Sequence, residues 1–392
     1  MSCKHTLTAL AAALALGATA ANAAPQQSQT VAVAPMSVPG TAALAEFAPR
    51  PSKRTRIDYQ VWDEALKELV LYGGPSLRMR ARKAEPFLGS RVVYGHTSPF
   101  RNEGNKVVFE YLNDDFELVL DEYAKDLIKI GNDVDIPALS RNEQLAYWLN
   151  LHNVLIMREI AARYRIDKPS VIRGWDGKRL HDTQVAKIDG VELSLRDIRE
   201  RIVYPNWRDS RVIYGFWLGE LGGPSIQRAA FDGKTVWTTL GVAADEFANS
   251  LRGVERRGET LRVSKVYEDV APWYFPDFER DVRAHLAKYA NEMTRLDLEK
   301  AEGGRMKVAL YEDVIADLTA GAGEREPLSN VQSEAGTFGR ARSNNTIDRA
   351  VIEQKEKFNE LRERGMTGTV IIEDINLGTD AEEEELPVTP EP

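Results

Sequence analysis

Cysteine is nearly missing from this chain: of 392 residues only Cys3 is one. It stands before an apolar stretch, 7–21, which reads together with Lys4, His5 and the Ala21-Asn22-Ala23 triplet as a cleavable signal peptide over 1–23. Placed ahead of that stretch rather than at its end, Cys3 is not the lipidated residue of a lipoprotein and is expected to leave with the signal. The mature chain then has no thiol, which excludes a disulfide, a cysteine nucleophile and a thiolate metal ligand. Long hydrophobic runs are also lacking. The leading stretch falls short of the roughly 20 residues a spanning helix needs, and charges interrupt every later run. A soluble periplasmic or secreted protein is therefore expected, with no transmembrane segment in the mature chain. Histidine is sparse, and His96, His152, His181 and His285 show neither H-x-x-x-H nor H-E-x-x-H spacing, so no metal and no cofactor are expected. His181, beside Asp182, reads as a surface or turn pair. A basic excess is missing as well: 51 Lys and Arg face 60 Asp and Glu, so no nucleic-acid surface is indicated.

What is present is enough apolar content, 43%, for a sizeable core. Residues 24–56 have no sustained period and read as a flexible leader, and order is expected from 57. Val61, Trp62, Ala65, Leu66, Leu69 and Val70 make a helical stripe that Gly73 ends. Runs 91–94 and 106–109 read as extended. Asn113 is placed to cap a helix carrying Phe116, Leu120, Tyr123, Leu127 and Ile130, with Gly131 as its stop. Ser140 and Glu143 have capping-box spacing at the head of a helix, 141–164, that is apolar on nearly all sides and is expected to lie buried at the centre.

Further on, Ser194 caps a short helix, and 212–226 reads as a buried strand leading into a glycine turn. Helical segments at 243–251 and 278–290 flank an extended one at 260–264. The mixture lacks a regular βαβ alternation, so the expected class is α+β: a single main mixed domain over 57–302. Residues 303–345 read as a linker or irregular region, 346–372 as a C-terminal helix and short strand, and 373–392 as a disordered acidic tail.

Two groups of residues can carry chemistry. Asn150, His152 and Asn153 are polar groups on the apolar helix and must find partners inside the fold. His152 is then either a general acid or base, or one of three structural ties. Glu220 is the lone ionisable group between Arg211 and Arg228. If buried, its carboxyl pKa rises to suit proton transfer; otherwise it pairs with Arg228 or Arg252. Gly222, Gly223 and Ser225 follow it in a turn whose amides can approach a ligand, with Arg228 nearby. Ser225 is no nucleophile candidate, because G-G-P-S-I is not the G-x-S-x-G elbow.

The stretches R-N-E-Q-L-A-Y-W-L-N-L-H-N-V-L, D-G-V-E-L-S-L-R-D-I, D-S-R-V-I-Y-G, G-G-P-S-I, L-R-V-S-K-V-Y-E-D and D-F-E-R-D, in this order, resemble the DUF547 domain family over about 116–289. The family's activity is unknown, so the resemblance implies a domain type. It also implies an asparagine-cysteine pair on the strand and a cysteine-proline pair at the turn, where this chain has Trp217 with Leu218 and Gly223 with Pro224. The missing thiols favour a non-catalytic binding or scaffold module of the cell envelope, acting on an envelope protein or small ligand. One alternative is a hydrolase or transferase using His152 and Glu220 for proton transfer. Another is a polysaccharide or cell-wall binding module using Trp175, Trp207, Trp237, Trp273 and Tyr274.

Overall fold

The computed structural model describes residues 38, 41–84, 93, 95–109, 114–321 and 345–366. The expected signal peptide with Cys3, most of the run 91–94, the expected Asn113 cap, the strand expected at 369–372 and the acidic tail lie outside the described residues.

The centre of the molecule is the helix the apolar pattern demands. After α1 (Gln60–Leu69) and a two-strand ladder of β1 (Val70–Leu71) with β2 (Lys106–Val107), α2 (Asp114–Asp133) packs along α3 (Arg141–Ala161). Every residue of α3 from Glu143 to Met157 is buried. Each apolar side chain so buried contributes about 1.5–3 kcal/mol relative to exposure, so this helix anchors the core. Its cap is half a capping box. Ser140 Oγ accepts from the Glu143 amide at 3.3 Å, but the buried Glu143 carboxylate turns away from Ser140 and accepts from the Ile57 amide at 2.9 Å, tying down the chain before α1.

Gly131 does not stop α2, which runs on to Asp133. It is there because the two helices approach closely: a Cβ would stand 2.2 Å from the Tyr147 hydroxyl, which donates to the Leu127 carbonyl.

The hairpin of β3 (Gln184–Ile188) and β4 (Val191–Ser194) turns at Asp189-Gly190 and feeds a helical stretch that begins as a π-helix, Asp197–Val203, and ends as α4 (Tyr204–Asn206). Ser194 and Asp197 cap it reciprocally: Ser194 Oγ donates to Asp197 Oδ2 at 2.7 Å and accepts from the Asp197 amide at 3.1 Å.

The expected strand at 212–226 is not one. Ser210–Gly215 winds as a 3₁₀ turn, and the chain then runs extended past α3 to Glu220, which makes an isolated bridge with Ile315. A continuous apolar run does not distinguish a buried strand from a buried turn.

After α5 (Val236–Ala248) comes a three-stranded sheet in the order β5 (Val254–Arg257), β6 (Thr260–Ser264), β7 (Met306–Leu310). Strands β5 and β6 are antiparallel, whereas β6 and β7 are parallel, joined through α6 (Lys265–Asp269), α7 (Ala271–Tyr274), α8 (Phe278–Tyr289) and α9 (Glu292–Lys300). Residues 306–310 therefore belong to the sheet, not to an irregular linker, because the β6 edge needs a partner for its amides and carbonyls.

The last described element, α10 (Asn345–Glu363), is clasped to the body by Arg101, whose guanidinium forks onto Glu353 at 2.8 Å, and by Lys357, which donates to the Asn102 carbonyl at 2.7 Å. The protein is thus of the α+β class, with short sheets around a buried helix. Among the described residues no helix is long and apolar enough to cross a membrane.

Candidate functional site

Beside the π-helical stretch opens a cleft of about 670 Å³. One wall is this stretch with Arg199, Glu200 and Tyr204; another is the 216–224 chain with Glu220. The α6–α7 segment and Tyr311 close the remainder, and Val38 and Thr41 form its rim. The rim is held there by a consequence of sequence. Pro205 has no amide hydrogen, so the Arg201 carbonyl loses its helical donor, and the Leu44 amide takes that carbonyl at 2.9 Å.

Glu220 reaches the cleft because Gly219 adopts φ +81°, a left-handed conformation, where a Cβ would stand 2.5 Å from Ile160 Cδ1. Glu220 is 4% exposed. The Tyr311 hydroxyl donates to its Oε2, and the Ser170 amide donates to it as well. Burial outweighs these bonds and pushes the Glu220 carboxyl up to about 7. Burial likewise drives the Tyr311 hydroxyl far above its ordinary value, with the Glu220 charge adding to the effect, so Tyr311 remains a donor. Neither expected arginine pairs with Glu220. Arg252 binds Glu246 and the Leu221 and Gly223 carbonyls, and Arg228, exposed, donates to the Lys67 carbonyl at 3.0 Å.

The glycine turn does not supply free amides. Gly222 donates to the Glu312 carbonyl at 2.8 Å and Gly223 to the Glu220 carbonyl at 3.1 Å. Ser225 Oγ accepts from the Asn105 amide and from Arg252, at 3.2 and 3.1 Å, behind the turn. These groups build the bend that presents Glu220. Of the ligand-binding candidates Asn150, Asn153, Gly222, Gly223, Ser225 and Arg228, none lines the cleft.

On α3 the three polar groups have separate destinations. Asn150 exchanges two hydrogen bonds with the Phe231 backbone, at 2.8 and 3.0 Å. Asn153 donates to the Gly215 carbonyl at 2.9 Å and accepts from the Trp217 amide at 3.1 Å, which fixes the chain leading to Glu220. His152 is fully buried and does not line the cleft. It meets the cleft through an intermediary: Arg199 Nη1 lies 2.8 Å from His152 Nε2 and 3.3 Å from His181 Nδ1.

A guanidinium only donates, so both ring nitrogens are acceptors, and the His152 proton is on Nδ1, 3.2 Å from Asn153 Oδ1. Burial and then the Arg199 charge hold both imidazoles well below the usual histidine range, in the neutral form this geometry needs.

Arg199, His181 and Tyr311 are site residues that pattern reading did not single out. Arg199 left one signal: it falls at helical spacing from Leu195, Ile202 and Val203, a cation in an apolar stripe. His181 is no surface pair, since it lines the cleft while Asp182 binds Arg196. Tyr311 is distant in sequence and left none.

Of the aromatic residues, Trp273 lines the cleft, Trp207 is buried, and Trp237 and Tyr274 are half-buried. Trp175 is exposed, and its indole Nε1 donates to the Gln184 carbonyl. They do not form one groove. Among the described residues no group of three His, Asp or Glu side chains is gathered as a metal site.

The fold and cleft define an α+β domain built on a buried helix with an acidic side chain presented beside it. Residues 136–248 match the family model of DUF547, a protein family of unknown function. The match spans α3, the hairpin, the π-helical stretch, Glu220 and α5; Lys265, Asp269, Trp273 and Tyr311 of the cleft lie beyond it. No curated protein and no solved structure matches the chain.

Proposed function

We propose that the protein is an exported binding module of the cell envelope whose DUF547 domain takes a small ligand in the Glu220 cleft. One observation supports this most directly: a roomy cleft is walled by a buried carboxyl and a half-buried phenol that meet each other rather than a cation. A carboxyl that keeps its proton near neutral pH donates a hydrogen bond as well as accepting one, which suits recognition of a polar ligand. Export is supported by the reading of residues 1–23 as a signal peptide.

The test is capture. The purified chain is equilibrated with the small-molecule fraction of the source cells' envelope, washed and analysed by mass spectrometry. A ligand is expected from the wild type and much less from Leu218→Trp, which places a bulky indole in the cleft wall. Equal recovery from both would refute the cleft as the binding site.

A second reading, a hydrolase or transferase, draws on the carboxyl held at about 7, where an acid–base group works best. Glu220 with Tyr311 would then move the proton, and His152 would act only through Arg199. On that reading Glu220→Gln keeps ligand capture and abolishes turnover of the captured compound.

A further inference from the structure

Arg199 is 7% exposed and has no carboxylate partner among the described residues. A buried guanidinium without a counter-charge is costly, and natural structures rarely keep one unpaired. Its five donors divide unevenly. The two on Nη1 go to His152 and His181, whereas those on Nε and Nη2 have no hydrogen-bond partner among the described residues. The residue lines the cleft, and it is carried on a π-helical stretch, a distortion that often marks functional sites.

The acidic residues around the cleft do not supply the missing charge. Asp269 is paired with Lys265, Asp313 with Lys168 and Glu200 with Arg196. The Glu220 carboxyl is engaged by Tyr311 and the Ser170 amide. Arg179, exposed at the rim, is a second cation with no ion pair among the described residues. Once these pairs are made, two cations of the cleft, Arg199 and Arg179, have no ion pair among the described residues, and Arg199 is the buried, oriented one.

We infer that Arg199 is an oxyanion-binding residue, and that the ligand of the cleft carries a carboxylate or phosphate group seated on the free Nε and Nη2 edge. This rests on the cleft being a ligand site. His152 and His181 are positioning residues: two neutral ring acceptors on Nη1 hold the guanidinium plane so that its remaining donors face the cleft. Their neutrality matters, because an imidazolium beside Arg199 would have no lone pair to offer it.

The experiment uses the full chain with ¹⁵N-labelled arginine and follows the Arg199 Nε–H resonance. Sodium phosphate, sodium acetate and sodium chloride are titrated in turn at matched ionic strength. A saturable shift with phosphate or acetate, and none with chloride, is expected; which of the two acts at lower concentration identifies the group. Calorimetric affinity for that anion should fall roughly tenfold or more in Arg199→Lys, which keeps the charge but loses the planar fork. It should change little in Arg179→Gln.

If Arg199→Lys does not fold, Leu218→Trp serves instead and should abolish the shift. An unmoved resonance with every anion overturns the inference. So does anion affinity that is the same in wild type and Arg199→Lys. Capture of an uncharged ligand with equal affinity by those two proteins overturns the anion assignment while leaving the cleft reading intact. Capture unaffected by Leu218→Trp removes the cleft reading itself.

Discussion

Buried polar groups occur in two neighbouring regions of this molecule, and they are treated in opposite ways. Along α3 three of them are neutral amides matched to backbone: Asn150 to Phe231, Asn153 to Gly215 and Trp217, and the Gln144 amide nitrogen to the Pro137 and Leu139 carbonyls. Across the cleft they are ionisable groups without an opposite charge: Glu220 meets a phenol, and Arg199 meets two neutral imidazoles. A matched amide repays its desolvation, so the first arrangement stabilises the fold. An unmatched charge does not, so the second is tolerated at a cost, which the ligand proposed for the cleft would offset.

The sharpest way to break the comparison is on its stabilising side. Asn153→Ala removes partners from the Gly215 carbonyl, the Trp217 amide and His152 at once, and should lower stability by roughly 4 kcal/mol in chemical unfolding. A loss below about 1 kcal/mol would show that the amide is not the tie described here.

Next in size is the pH response of the cleft side. Glu220 is raised to about 7 in the folded chain, above the ordinary 4.5 of the unfolded one. Below both values it is protonated in both states and contributes nothing. As pH climbs between them, the unfolded chain releases its proton first, so this group lowers stability by up to about 3 kcal/mol, reached above pH 7. The difference between wild type and Glu220→Gln, measured by urea unfolding from pH 4 to 8, should grow over that window in favour of the variant. A difference independent of pH would mean that the carboxyl titrates normally.

Smaller effects refine the boundary between the two regions. Gly219→Ala forces a side chain into left-handed backbone against Ile160, and should cost roughly 1–3 kcal/mol in thermal unfolding while weakening whatever the cleft binds. Arg228→Ala, on the exposed surface away from the cleft, should change stability by less than about 0.5 kcal/mol and leave ligand capture untouched. Any marked loss of capture in Arg228→Ala would extend the site past the walls identified here.

Much of this was legible before any coordinates. The burial of α3 followed from its apolar surround, and the need of Asn150 and Asn153 for internal partners followed from the cost of desolvating amides. Glu220 stood out as the one carboxylate in an apolar run, and it does occupy the cleft. Local pattern misled where two structures share one pattern. The run after Val212 has the composition of a strand and winds as a 3₁₀ turn, and Gly131 looks like a helix stop yet marks a close helix crossing.

By itself, the sequence determined those features that depend on neighbours along the chain: the near-absence of thiols, the α+β mixture, the central helix and its Ser140 cap, and Ser194 as the cap of the helical stretch after the hairpin. Only the tertiary structure decided who meets whom across long separations. It gave Glu220 to Tyr311 rather than to an arginine, separated His152 from the cleft by Arg199, and placed His181 on the far side of that guanidinium. The physical reason is that burial and charge pairing are properties of the space around a group, and residues separated by tens of positions share that space only after the core has closed.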